Sequence, residues 1–251
     1  MLQRTYEVEH LHHPTAGRLH ITPTGTRPGV TTVLDLGGPE QPWLAEWRAR
    51  VGEAEAERIR LDATDRGTAL HALIEANLTQ EPVIVPDEAY ALGTPDRDRI
   101  AGMFEKVRPA LEAIDTVLGV ELHCEWFSTS GRIKPWNGFA GSVDCIATID
   151  FDDGRGPVTT VVDWKTAAKT KRLDRIENYR MQVAAYRVAL MHTYPELNGT
   201  IDDAVICIVP EKGPLQIIHI EAQELRLEEM GFFSRLEAYY NRFDVSIFLP
   251  F

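Results

Sequence analysis

Between residues 120 and 164 the chain carries three apolar, β-branched stretches in close succession, at 120–127, 139–151 and 158–164, and acids interrupt them. A sheet cannot bury such acids without compensation, so this segment limits the fold more than any other. A predicted helix over 175–192 follows, then strands over 204–209 and 215–220 joined by a turn at 210–214, then a helix over 222–240. That order predicts an α/β layer protein with a mixed sheet.

Upstream, Pro14, Gly17, Pro23, Gly25, Pro28 and Gly29 punctuate short β-prone pieces at 5–8 and 18–22, which predicts a small hairpin or arm. Helical patterns follow over 43–61, 68–78 and 96–118, with Asp65-Arg66-Gly67 separating the first two. The expected organisation is one domain over 1–251. It has an arm over 1–40, a helical region over 41–118 and an α/β core over 119–251.

Composition excludes several classes. No apolar run approaches the ~20 residues that cross a bilayer, and the first residues lack the apolar stretch of a secretion signal. No membrane association and a reducing, cytoplasmic location are therefore expected. Cys124, Cys145 and Cys207 lie far apart with no C-x-x-C, which argues against a structural zinc, a disulfide framework or an iron–sulfur cluster. The 251 residues carry 26 basic and 38 acidic groups, a net charge of −12. That disfavours coating of nucleic acid by a broad basic surface and leaves room for a local basic site. Nothing in the sequence sets an oligomeric state. G-x-G-x-x-G, P-loop and G-x-S-x-G patterns are all missing, so nucleotide-cofactor and serine-hydrolase chemistry have no handle.

The chemistry concentrates between Gly141 and Lys165. Asp163 and Lys165 lie two apart on a predicted strand, so both side chains leave one face. A two-residue turn at Asp153-Gly154 would set Asp144 opposite Asp163. Two carboxylates beside Lys165 would repel unless a cation sat between them, and oxygen ligands suit Mg²⁺ or Mn²⁺. The plainer reading is a surface Asp–Lys pair, but the apolar neighbours Val161, Val162 and Trp164 argue for burial. His71 and Glu75, one helical turn apart, can face one cleft, although a lone helical His is often a satisfied partner. Gln182 and Tyr186 form a similar i, i+4 pair in an apolar helix. From Asp163 to Arg180 six basic residues face three acidic ones. Lys169, Lys171 and Arg172 in that run read either as a solvated loop or as a phosphate-binding strip. Trp136, between basic residues, has the character of a base-stacking side chain or of simple packing.

Taken in order, His71 in a G-T-x-x-H helix, Gly141-Ser142-Val143-Asp144, Asp163-Trp164-Lys165 and Gln182-x-x-x-Tyr186 resemble the PD-(D/E)XK nuclease superfamily, specifically its RecB-type exonuclease branch. The likeness covers residues 66–190. The segment from Pro28 to Leu34, followed by Trp43 and Trp47, is also similar to single-domain members such as phage exonucleases and the mitochondrial genome-maintenance single-strand exonuclease. The resemblance implies a restriction-endonuclease-like α-β-β-β-α-β core, with a mixed central sheet flanked by helices and a helical N-terminal elaboration. It implies His71, Asp144, Asp163 and the Trp164 carbonyl as ligands of Mg²⁺ or Mn²⁺, and Lys165 as the group that orients or deprotonates the attacking water. Gln182 and Tyr186 would line the nucleic-acid path, and Glu125, with Glu75, would support the metal. Two departures stand out, Val143 where proline is common and Asp163 where Glu is usual.

The implied reaction is metal-assisted hydrolysis of DNA, single-stranded DNA preferred, leaving 5′-phosphate and 3′-hydroxyl ends. Repair, recombination or phage DNA metabolism is the implied setting. A duplex or flap endonuclease of the same fold, or a catalytically silent DNA-binding subunit, are the alternatives.

Overall fold

The structure, a computed structural model, describes residues 1–39, 42–82, 97–128 and 138–243. The chain opens with a three-stranded antiparallel meander, β1 (Glu9–His13), β2 (Gly17–Thr22) and β3 (Gly25–Pro28). The expected strand at 5–8 is not one. Pairing starts instead at Glu9, with Gly17 at φ +76 and Gly25 at φ +138 at the turns, conformations that suit glycine. Helices α1 (Val30–Leu36) and α2 (Pro42–Val51) follow.

Helix α3 then runs unbroken over Glu53–Thr79, through the Asp65-Arg66-Gly67 sequence expected to separate two helices. Glu53 and Glu55 complement the helix dipole in its first turn. A mid-helix glycine costs ~1 kcal/mol. Tertiary ion pairs override it. Buried Arg66 reaches Asp62 one turn back at 3.2 Å and Glu211, far along the chain, at 2.7 Å. Helix α4 spans Arg97–Glu112, shorter than the sequence pattern, because the chain has already entered a strand at Thr116.

Strands β4 (Thr116–Phe127), β5 (Gly138–Ile149) and β6 (Val158–Lys169) form an antiparallel meander. A crossover through α5 (Glu177–Thr193) brings β7 (Ile201–Lys212) parallel to β6. Strand β8 (Gln216–Ile220) lies antiparallel on the far edge, and α6 (Ala222–Arg242) ends the described chain. The sheet order is β4-β5-β6-β7-β8. This is the mixed α/β core, with a helical N-terminal elaboration, that the sequence order predicts.

Each face of the sheet has its own apolar layer. Val33 of α1, Val183 and Leu190 of α5 and Phe232 and Tyr239 of α6 pack with Phe139, Ile146 and Val161. Leu70 and Ile74 of α3 and Met103 and Val107 of α4 pack with Cys145, Val162, Trp164 and Cys207. All three cysteines are free and buried. No described helix is long and apolar enough to cross a membrane.

The β5–β6 register is the expected one, with Cys145 opposite Val162 and Ile149 opposite Val158. Its cause differs from the expectation. Residues 150–157 connect the strands, and Arg155 ties this loop to the fully buried Asp203 at 2.7 Å, which also meets His219 at 2.7 Å. Packing of both strands into the apolar layers on the two faces, rather than a two-residue turn, holds the register.

The N-terminal meander is fastened to the sheet by a buried ion pair. Glu125 accepts from Arg27 at 2.8 Å and from the Thr22 and Thr24 hydroxyls at 2.6 and 2.7 Å. Replacing Glu125 by Ala leaves Arg27 buried and uncompensated, so a loss of about 3–5 kcal/mol is expected in urea unfolding. The double change Arg27→Met, Glu125→Leu should recover much of it, since replacing a buried pair whole costs far less than breaking it.

Candidate metal centre

Four elements bring polar side chains to one place at the β4-β5-β6 side of the sheet. Asp144 comes from β5, Asp163 and Lys165 from β6, and His71 from α3, which crosses them. Asp163 is 1% exposed, and its carboxylate lies 2.6 Å from the Lys165 ammonium. Its other oxygen, Oδ1, is buried with no hydrogen-bond partner among the described residues. Asp144 Oδ2 accepts from the Trp164 backbone N–H at 2.8 Å, which locks the two strands together where the ladder ends. Its other oxygen is 3.6 Å from His71 Nδ1. His71 Nε2 is 3.0 Å from the Trp164 carbonyl.

That last geometry has a direct electrostatic meaning. In either neutral tautomer of His71, one ring nitrogen presents a lone pair to an oxygen lone pair, of Asp144 or of Trp164. A second ring proton or a bound metal cation removes the conflict.

The structure adds an acid that the sequence reading missed. Glu121 of β4 joins His71 and Asp144, with one ligating atom of each within 4.8 Å of the others. Its backbone has φ +49, an uncommon conformation for a residue with a side chain and one that recurs at functional sites. The β4–β5 register sets Val120 against Cys145 and Leu122 against Val143, which leaves Glu121 beside Asp144. The sequence does not give that register, because the turn formers Gly131, Pro135 and Asn137-Gly138 are spread over a connection too long to fix the pairing.

Glu125, expected to support the metal, is elsewhere. It lies four residues along the strand from Glu121, ~13 Å away, and is committed to Arg27, Thr22 and Thr24. Glu75 lies 3.8 Å from Arg4, half exposed, and raises the proton affinity of Glu121. Gln182 and Tyr186 on α5 are buried and bonded to each other, Gln182 Nε2 donating to the Tyr186 hydroxyl at 2.9 Å. Tyr186 needs Gly141 opposite it, since a Cβ there would meet the ring at 2.7 Å. Lys169, Lys171 and Arg172 are exposed just beyond the centre, with Arg172 paired to Asp174 at 2.8 Å. Trp136 lies outside the described residues.

Charges in the cluster are strongly perturbed. Burial, then the Asp144 and Glu75 carboxylates, push Glu121 up to about 8 against the opposing Arg4 guanidinium. Burial likewise pushes Asp163 up to about 6, with Lys165 pulling it down and Asp144 pushing it up. Burial works against the Lys165 cation, but Asp163 and Asp144 outweigh it and hold the ammonium above the usual lysine range. The acceptor set is one imidazole, three carboxylates and a backbone carbonyl, with Asp163 Oδ1 short of a donor. These residues fit a hard divalent cation.

A carboxylate whose folded pKa is raised stabilises the protein only while protonated, so stability falls as pH rises through that value. Buried His20, pushed down to about 3 from 6.5 mainly by burial, acts in the opposite direction but only below 6.5. Between pH 6.5 and about 8 the Glu121 effect therefore stands clear. In EDTA the Tm is expected to fall across that window, by at most about 1.4 kcal/mol of stability per pH unit. Mn²⁺ should raise it, more at the alkaline end. Glu121→Gln should flatten the fall in EDTA, and a scanning-fluorimetry series with each metal checks all three.

A model of the PD-(D/E)XK nuclease superfamily matches residues 43–231, a span that contains every member of this centre. A solved structure from Eubacterium rectale with a provisional exonuclease description is similar at TM-score 0.45 and 12% identity, covering 72% of this chain and 69% of that one. No curated protein matches the chain. The superfamily match extends over most of the sequence, and the protein belongs to the PD-(D/E)XK nuclease superfamily.

Proposed function

We propose that this nuclease is a Mg²⁺- or Mn²⁺-dependent DNA exonuclease that prefers single-stranded DNA, with residues 1–251 acting as one nuclease domain. One observation carries the reading. Asp144, Asp163 and His71 converge beside Lys165, with Asp163 Oδ1 buried and without a hydrogen-bond donor among the described residues, and a run of exposed basic residues begins immediately beyond.

His71, Asp144, Asp163 and the Trp164 carbonyl, with Glu121, would hold the cation. Bound there, it supplies Lewis-acid polarisation of a phosphodiester and a lowered pKa for water. The remaining work belongs to the chain. The Lys165 ammonium, kept charged by Asp163 and Asp144, donates hydrogen bonds to the attacking water and to the phosphoryl oxygen that gains charge. Asp144, through the Trp164 N–H, fixes the strand that carries Asp163 and Lys165. Gln182, oriented by Tyr186, faces the nucleic-acid path, and Lys169, Lys171 and Arg172 hold phosphates by charge. Localised positive charge on an acidic chain fits a substrate that is gripped at one place rather than coated.

Labelled linear and circular DNA, single- and double-stranded, incubated with Mg²⁺, Mn²⁺ or EDTA, tests the proposal. Linear single strands should be shortened from an end in metal, circular single strands should survive, and EDTA should stop the reaction. Asp163→Ala and Lys165→Ala should remain folded and lose at least ~10²-fold in rate. Cutting of circles would replace the exonuclease reading with an endonuclease one. Undiminished activity of a folded Asp163→Ala protein would refute the assignment of the centre.

A further inference from the structure

Lys165 is tied through its ammonium to a single carboxylate oxygen. Its Nζ lies 2.6 Å from Asp163 Oδ2, a charge-assisted hydrogen bond to one carboxylate oxygen. A four-carbon stem that ends in a rotating ammonium needs more than a charge to stay aimed. The Nζ also lies 5.5 Å from the centroid of the Tyr179 ring, inside the ~6 Å reach of a cation–π contact. Tyr179 sits on α5 one turn before Gln182 and two before Tyr186, so all three share one stripe of the helix. Its ring is half-buried, and its hydroxyl bonds to none of the described residues. The close contact to Lys165 is with the face of the ring.

We infer that Tyr179 is a positioning residue that confines the Lys165 ammonium through its aromatic ring, not its hydroxyl. The effect on turnover rests on the nuclease reading above; the confinement itself does not. Losing the ring frees the ammonium to leave Asp163 for solvent. Binding of nucleic acid, which depends on the basic run and on the cation, is untouched.

Two readouts on Tyr179→Leu and Tyr179→Phe test the inference. The chain has six lysines, so after reductive ¹³C-methylation the Lys165 signal can be assigned by its loss in Lys165→Arg. A ring-current shift is expected in the wild type and in Tyr179→Phe, and its disappearance in Tyr179→Leu. In cleavage of a labelled oligonucleotide, Tyr179→Leu should lose roughly tenfold in kcat with KM within about twofold, and Tyr179→Phe should match the wild type.

An unmoved Lys165 signal in Tyr179→Leu would overturn the inference. So would a loss carried by KM, or a Phe variant as impaired as the Leu one. A wild type that cleaves nothing while its Lys165 signal still shows the ring would sink the nuclease reading and leave the confinement standing. If Leu prevents folding, Tyr179→Gln, polar and without a ring, answers by the same two readouts.

Discussion

Three carboxylates from three adjacent strands, Glu121, Asp144 and Asp163, are brought together with one ammonium among them. Their mutual repulsion and lost hydration oppose folding, and the raised proton affinities of Glu121 and Asp163 measure that opposition. The rest of the architecture supplies what outweighs it. Apolar layers on both faces of the sheet fix the strands, and the β5–β6 ladder runs in unbroken register up to Cys145 opposite Val162. Asp144 and Asp163 lie one step beyond that last pair, where the β5–β6 ladder ends.

Helix α3 completes the arrangement. His71 reaches the Trp164 carbonyl only because the helix stays straight through Gly67 and is fastened by Arg66 to Glu211 at the end of β7. On the opposite face α5 lays the Tyr179, Gln182 and Tyr186 stripe against the same strands, and Gly141 leaves room for the last of them. His71 on α3, Glu121 on β4, Asp144 on β5, Asp163 and Lys165 on β6 and the Gln182–Tyr186 pair on α5 thus come from five elements. The sheet holds them at a common point.

Much of this was legible in the sequence because it depends on local pattern. The turn expected at Asp153-Gly154 led to the right β5–β6 register although the connection is longer, the ordered motifs gave the family, and the i, i+4 spacing gave the Gln182–Tyr186 pair. The misses have a common physical origin in long-range contacts. Glu121 was overlooked in favour of Glu125 because the β4–β5 register is set by packing across a long connection, and because the φ +49 kink at Glu121 breaks the alternation that would have exposed it. The break expected at Asp65-Arg66-Gly67 failed because a partner nearly 150 residues away, Glu211, holds the helix together. Glycine and proline at the N-terminus announced turns, but which pieces between them pair is decided only by the sheet they form.

Anomalous diffraction from crystals soaked in Mn²⁺ tests the central claim most directly, since it locates the ion without reference to activity. The expected result is a manganese peak within bonding distance of His71, Asp144, Asp163 and the Trp164 carbonyl, with Lys165 alongside, and its loss in Asp163→Asn. A manganese ion bound elsewhere, or no peak at this centre at saturating metal, would contradict the account.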